Sequence, residues 1–121
     1  MKSCLIVDES KVIRLVTRKI LEDLEFETEE ATDGQSAVEA CRRKMPSAIL
    51  VEWNLPVLSG IEFLRALRAL PGGEAPRVLF CTLENDLQHI QEAIKAGADE
   101  YVMKPFDSEI IRAKFALVGL L

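Results

Sequence analysis

Five polar residues stand at the ends of apolar runs, and their types suit phosphate or divalent-cation chemistry. Asp8-Glu9 follows Cys4-Leu5-Ile6-Val7, and Glu52 follows Ile49-Leu50-Val51. Thr82 follows Val78-Leu79-Phe80-Cys81, and Lys104 follows Tyr101-Val102-Met103. Singly, each has a plainer reading: Glu52 as a solvated strand-end acid, Lys104 as half of an ion pair, Thr82 as a strand-end cap. Jointly they would place three carboxylates, one hydroxyl and one ammonium in one crevice. Close carboxylates repel, and they coexist only with a hard dication, a bound proton or a lysine among them. Magnesium suits such a set, because it takes a few carboxylate oxygens, keeps waters and bridges to phosphate. A lysine and a hydroxyl beside it are parts that hold a phosphoryl group.

Whether the five meet depends on the elements that carry them. The continuous apolar runs read as buried strands: Cys4 to Val7, Ala48 to Val51, Val78 to Cys81 and Tyr101 to Met103. Phe26 to Ala31, with Phe26, Thr28 and Glu30 alternating against acids, reads as a short edge strand. Between the strands the period changes to that of a helix. Ser10 caps a first helix whose apolar positions Ile13, Val16, Ile20 and Leu24 recur at helical spacing. Asp33-Gly34 turns into a second, with Ala37, Val38 and Cys41 inward, that stops before Pro46. A third runs from about Gly60 to Leu70, with Ile61, Leu64 and Leu67 on one side and Phe63 and Leu70 flanking. The fourth has Leu87, Ile90 and Ile94 inward and ends at Gly97, a left-handed cap. The last begins near Ser108, its expected cap. Five strands alternating with five helices predict an α/β, flavodoxin-like doubly wound fold, a parallel sheet of order 2-1-3-4-5. Such sheets bind ligands at the carboxyl ends of the strands, where the order reverses. That is where Asp8, Glu9, Glu52, Thr82 and Lys104 fall.

Length and composition narrow the classes. The 121 residues suit one domain, 1-121, with a real core. A net charge of -5 argues against a nucleic-acid surface. No apolar stretch is long enough to cross a membrane and no signal peptide is evident, so a cytoplasmic location is expected. Cys4, Cys41 and Cys81 form no C-x-x-C pair and read as reduced core thiols.

With those positions set, the chain resembles a response-regulator receiver domain of the single-domain, chemotaxis-regulator type. Asp8-Glu9 is similar to the family's acidic pair, and Glu52-x-x-Leu55-Pro56-x-x-x-Gly60 to its phosphoacceptor loop D-x-x-M-P-x-x-x-G. Thr82 matches the switch hydroxyl, Tyr101 the switch aromatic, and Lys104-Pro105 a pair whose peptide bond is usually cis. The resemblance implies a two-component or phosphorelay signalling module. A histidine kinase or histidine phosphotransfer protein would stand upstream, and a protein target of unknown identity downstream. It implies magnesium held by Asp8, Glu9, Glu52 and the backbone carbonyl of Asn54. The output face would be helix 4, strand 5 and helix 5. There Ile110, Lys114, Leu117 and Leu121 form one line of the last helix and Ile111, Phe115 and Val118 another. Only one line can pack on the sheet, so Ile110, Leu117 and Leu121 are expected to serve a target or a homodimer.

The departure is Glu52, where the family has aspartate. One added methylene moves the carboxylate outward by roughly a bond length, and a misplacement of about 1 Å can cost on the order of 10²-fold in rate. Glu52 is therefore expected not to be phosphorylated, and to act as a partial phosphomimetic. Leu83, where the family commonly has a small residue, would narrow access further. Magnesium is expected to bind weakly or not at all; alternatively Lys104 reaches Glu52 and takes the metal's place. The competing readings are a phosphate-independent pseudo-receiver, a magnesium-dependent phosphotransfer or haloacid-dehalogenase-like enzyme, and a flavodoxin-like cofactor binder. The dehalogenase reading wants Asp-x-Asp after strand 1, where Asp8-Glu9-Ser10 lacks the second Asp. The cofactor reading wants a phosphate loop there, also absent, so a binding module rather than an enzyme is expected. Lys11, Arg14 and Arg18 form a basic stripe that could guide a phosphotransfer partner. His89 reads as a solvated helix residue and Trp53 as an exposed loop aromatic.

Overall fold

The computed structural model describes residues 2–82 and 87–121. Among them, five strands form one parallel sheet: β1 (Ser3–Val7), β2 (Glu27–Ala31), β3 (Ala48–Glu52), β4 (Arg77–Thr82) and β5 (Glu100–Met103). Their order is β2-β1-β3-β4-β5, as predicted. The helices between and after them are α1 (Lys11–Asp23), α2 (Gly34–Arg43), α3 (Gly60–Ala69), α4 (Leu87–Ala96) and α5 (Ser108–Leu117). No helix among the described residues is long and apolar enough to cross a membrane.

The period of two in the strands divides the core into two layers. Leu5, Val7, Ile49, Val51, Val78 and Phe80 point toward α2, α3 and Ala93 of α4. Cys4, Ile6, Ala48, Leu50, Leu79 and Cys81 point the other way, onto Leu21 of α1 and Ile111 and Phe115 of α5. Central strands buried on both faces need no polar alternation, which is why their sequences read as unbroken apolar runs. All three cysteines are free and buried. Burial pushes the Cys4 thiol well up, Cys41 up to about 11 and Cys81 to about 12, so they stay protonated.

Caps fix the helix starts. Ser10 accepts from Ile13 N–H at 3.3 Å, and Asp33 from Ser36 N–H at 2.7 Å. Ser59 and Glu62 form a reciprocal capping box on α3. On α5 the cap is Asp107, not Ser108, because the Asp107 carboxylate takes Ile110 N–H at 2.9 Å. Several inward lines also differ from the expected ones. On α1, Thr17 and Leu21 are buried while Val16 is exposed; Thr17 tolerates burial because its hydroxyl donates to the Ile13 carbonyl at 2.7 Å. On α3, Phe63 lies inside with Leu64 and Leu67, and Ile61 is half-buried. On α4, Ile90 and Ala93 face the core and Leu87 and Ile94 face water. On α1 and α4 a hydrogen-bonded or small residue, Thr17 or Ala93, allows closer approach than a larger aliphatic would, and the helix is rotated accordingly; on α3 the core takes the Phe63 ring.

Candidate functional site

The site forms where the sheet order reverses. Asp8 leaves β1 with its N–H on the Ala31 carbonyl at 3.1 Å. Glu52 ends β3, in register with Cys81 of β4. Thr82 ends β4 opposite Met103, and the next residue, Lys104, donates its backbone N–H to the Thr82 carbonyl at 2.8 Å. Parallel pairing thus delivers Asp8, Glu52, Thr82 and Lys104 to one edge. The Lys104-Pro105 peptide is cis.

Lys104 is the centre of the group. Its Nζ lies 2.5 Å from Asp8 Oδ2 and 3.0 Å from Glu52 Oε1. The three side chains are only 8%, 8% and 11% exposed. The remaining oxygens have donors too: Asp8 Oδ1 accepts from Ser10 N–H at 2.9 Å, and Glu52 Oε2 from Trp53 N–H at 2.9 Å. Two carboxylates therefore share one ammonium. For Lys104, burial acts to lower the pKa, but hydrogen bonds to Asp8 and Glu52 outweigh it and the pKa is raised. For Glu52, burial raises the pKa, and neither Lys104 nor Trp53 N–H fully offsets it while Asp8 adds repulsion. The two acids thus raise Lys104 against burial, whereas burial is the leading cause for Glu52.

Glu9 and Asn54 are exposed and stand at the rim of an open cleft that Asp8, Ser10, Glu52 and Lys104 also line. Thr82 is buried and Tyr101 half-buried, and neither lines that cleft. The expected metal donors are hard oxygens, the kind magnesium takes. Their arrangement is another matter: no group of three or more His, Cys, Asp or Glu capable of holding a metal ion occurs among the described residues. The two strand-end acids are spoken for by Lys104, so the residues as placed do not fit a metal cage. Leu83 lies outside the described residues.

The β3–α3 loop holds Glu52 in place. Gly60 N–H donates to the Trp53 carbonyl at 2.9 Å. A Cβ on Gly60 would lie 2.6 Å from both the Glu52 backbone carbonyl oxygen and Trp53 Cα, so glycine is required by close approach. Val57, exposed in the same loop, has φ 69°, a left-handed conformation that a β-branched side chain resists.

Several residues play parts that spacing did not reveal. Arg14 Nη1 donates to the Asp8 and Glu9 carbonyls at 2.8 and 3.1 Å, and its Nε pairs with Glu30 at 2.8 Å. Arg18 pairs with the same Glu30 at 3.0 Å. Two charges of the expected basic stripe are therefore committed internally, while Val12 and Leu15 on α1 are exposed. Trp53 is not an exposed aromatic: it is half-buried against the core and its ring lies 4.2 Å from that of His89. His89 is correspondingly not a merely solvated residue. Tyr101 lies under the Lys114 ammonium, 4.3 Å from its ring centroid. The α5 lines part as expected, with Ile111 and Phe115 buried and Ile110, Leu117 and Leu121 exposed by 39%, 71% and 50%.

A doubly wound sheet with an acid pair, a third strand-end acid, a hydroxyl and a lysine at its switch point defines a phosphorelay-type receiver. Residues 4–116 match the response regulator receiver domain family, and the chain belongs to that family, the receiver module of two-component signalling. It is 36% identical to the chemotaxis protein CheY of Pseudomonas aeruginosa, over 91% of this chain and 90% of that one. With CheY-3 of Vibrio cholerae the identity is 33%, over 91% and 85%. In three dimensions it is similar to Vibrio cholerae CheY4, with TM-score 0.92 and 30% identity over 98% of each chain. It is also similar to the receiver domain of a Pseudomonas aeruginosa sensor histidine kinase that has magnesium coordinated in its active-site cleft. That match has TM-score 0.86 and 31% identity over 98% of each chain.

Proposed function

We propose that residues 1-121 act as one cytoplasmic receiver module that signals by protein contact without taking a phosphoryl group, Glu52 standing in for part of the phosphorylated state. The observation that supports this reading is the pairing of Glu52 with Lys104 at 3.0 Å and with Trp53 N–H at 2.9 Å. A carboxylate already held by both donors is poorly placed to attack, and its single charge mimics only part of the roughly two that a phosphoryl group brings. The module binds rather than catalyses. Lys104 supplies the positive charge between the acids, so magnesium, to which Asp8, Glu9, Glu52 and the Asn54 carbonyl offer oxygens but no formed cage, binds weakly or not at all. The upstream contact is a histidine kinase or phosphotransfer protein. The downstream contact, or a second copy, uses the α4–β5–α5 face through Ile110, Leu117 and Leu121. Incubation with acetyl phosphate and magnesium followed by intact mass should show no gain of one phosphate, and Glu52→Asp should gain it. A stoichiometric adduct on Glu52 itself refutes the reading.

A further inference from the structure

We infer that the Trp53–His89 stack is the joint between the acidic site and α4, with His89 the residue that positions the start of that helix. The inference rests on the receiver reading, because α4 borders the proposed partner face.

Trp53 is fixed at its backbone on three sides. Its N–H is shared between Glu52 Oε2 at 2.9 Å and the Cys81 carbonyl at 3.2 Å. Its carbonyl accepts from Gly60 N–H at 2.9 Å. Any change in where the Glu52 carboxylate sits therefore acts on a hydrogen bond made by the residue whose ring leaves the loop. That ring meets His89, in the first turn of α4, with centroids 4.2 Å apart and planes at 39°. The two rings line a groove together with Ile61, Phe80, Arg65 and Glu92. Further along, α4 buries Ile90 and Ala93 and packs Ala96 against the core. Leu87 and Gln88, which precede His89, are exposed, so the aromatic pair is a main attachment of the helix's first residues. Trp53 is also the only tryptophan and His89 the only histidine of the chain, so each end of the joint can be observed separately.

The test is a double-mutant cycle on the whole chain, read by amide hydrogen exchange across α4 and by Trp53 fluorescence. His89→Ala should raise exchange in α4 roughly threefold to tenfold, the span an aromatic pair supplies. Exchange in β1 and β3 should stay within twofold of wild type, and Trp53 emission should shift. Glu52→Gln should change α4 exchange severalfold in the wild-type background and by less than twofold once His89 is Ala. His89→Phe, which keeps a ring against Trp53, should restore the response to Glu52→Gln. Unchanged α4 protection in His89→Ala, an undiminished effect of Glu52→Gln without His89, or no rescue by Phe overturns the inference. The receiver reading would fall to a different result, a phosphate adduct on Glu52, which leaves these exchange ratios standing.

Discussion

Replacing Lys104 by methionine should make the stability of this protein depend on pH near neutrality. The wild-type ammonium sits 2.5 Å from one carboxylate and 3.0 Å from another, all three groups about nine-tenths buried. At an effective dielectric of about 20, each attraction is on the order of 5 kcal/mol before the cost of burying the ammonium, which is itself several kcal/mol. Methionine fills similar volume but leaves Asp8 and Glu52 facing each other uncompensated. Breaking a buried pair in this way costs about 3–5 kcal/mol, a large part of a domain's total of roughly 5–15 kcal/mol.

The sign with pH follows from Glu52. Its folded pKa is already raised by burial, and Lys104 is what holds it down. Without Lys104 it rises further, so the folded state keeps a proton that the unfolded chain has lost. A raised carboxyl contributes stability that is fully present below its unfolded pKa and disappears as pH climbs through the folded value. The deficit of Lys104→Met should therefore be greatest at pH 8 and shrink toward pH 5, with a slope approaching about 1.4 kcal/mol per pH unit. Wild type should vary less over that range; Lys104, with its raised pKa, loses its contribution only in alkali above the ordinary lysine value. Urea titrations at pH 5, 6, 7 and 8 measure this, and Glu52→Gln in the Lys104→Met background should remove the slope. Magnesium should also rescue Lys104→Met more than wild type, since it competes for acids that Lys104 no longer occupies. A loss under 1 kcal/mol with no pH slope would refute the shared-cation account.

Other substitutions probe the frame. Arg68 donates to the carbonyls of Gly73, Pro76 and Gly97 at 2.6–3.0 Å and pairs with Asp99; Arg68→Ala should cost about 3 kcal/mol by urea titration, since several acceptors lose a charged donor. Val57→Asn should stabilise by about 1 kcal/mol, because asparagine accepts φ 69° more readily than valine; a loss of stability would show that Val57 makes contacts that matter. Phe115→Ala should cost about 3–5 kcal/mol in thermal or chemical melts, given its full burial and its edge contact with Phe26 at 5.3 Å. Leu117→Lys with Leu121→Lys should leave the melting temperature nearly unchanged while weakening self-association or target binding, and unfolding would reassign that line to the core.

The fold was legible because its strongest signals are local. Unbroken apolar runs such as Ile49-Leu50-Val51 mark strands covered on both faces, and the intervening helical periods leave few right-handed windings. Helix rotation was less legible. Val16 and Leu87 fit their helical periods, yet Thr17 and Ala93 face the sheet. Periodicity marks a stripe about a hundred degrees wide but not its centre, which is set by close packing against partners distant in sequence. The α5 cap was missed for a similar reason: Asp107 and Ser108 are both good caps, and the backbone geometry chooses between them.

At the site, residue types announced the chemistry but not the pairings. Asp8, Glu52 and Lys104 lie 44 and 52 residues apart along the chain, and strand ends alone say that they meet, not which oxygen meets which proton. That detail decides what the site does. One ammonium divided between two acids leaves a trio that is structurally satisfied yet still one charge negative. An aspartate at position 52 would hold its carboxylate a methylene nearer the backbone and farther from the position in which Lys104 and Trp53 N–H now grip it. The glutamate's reach thus sets the contact: its Oε1 lies 3.0 Å from Lys104 Nζ while its Oε2 takes Trp53 N–H at 2.9 Å, one anion gripped from two sides.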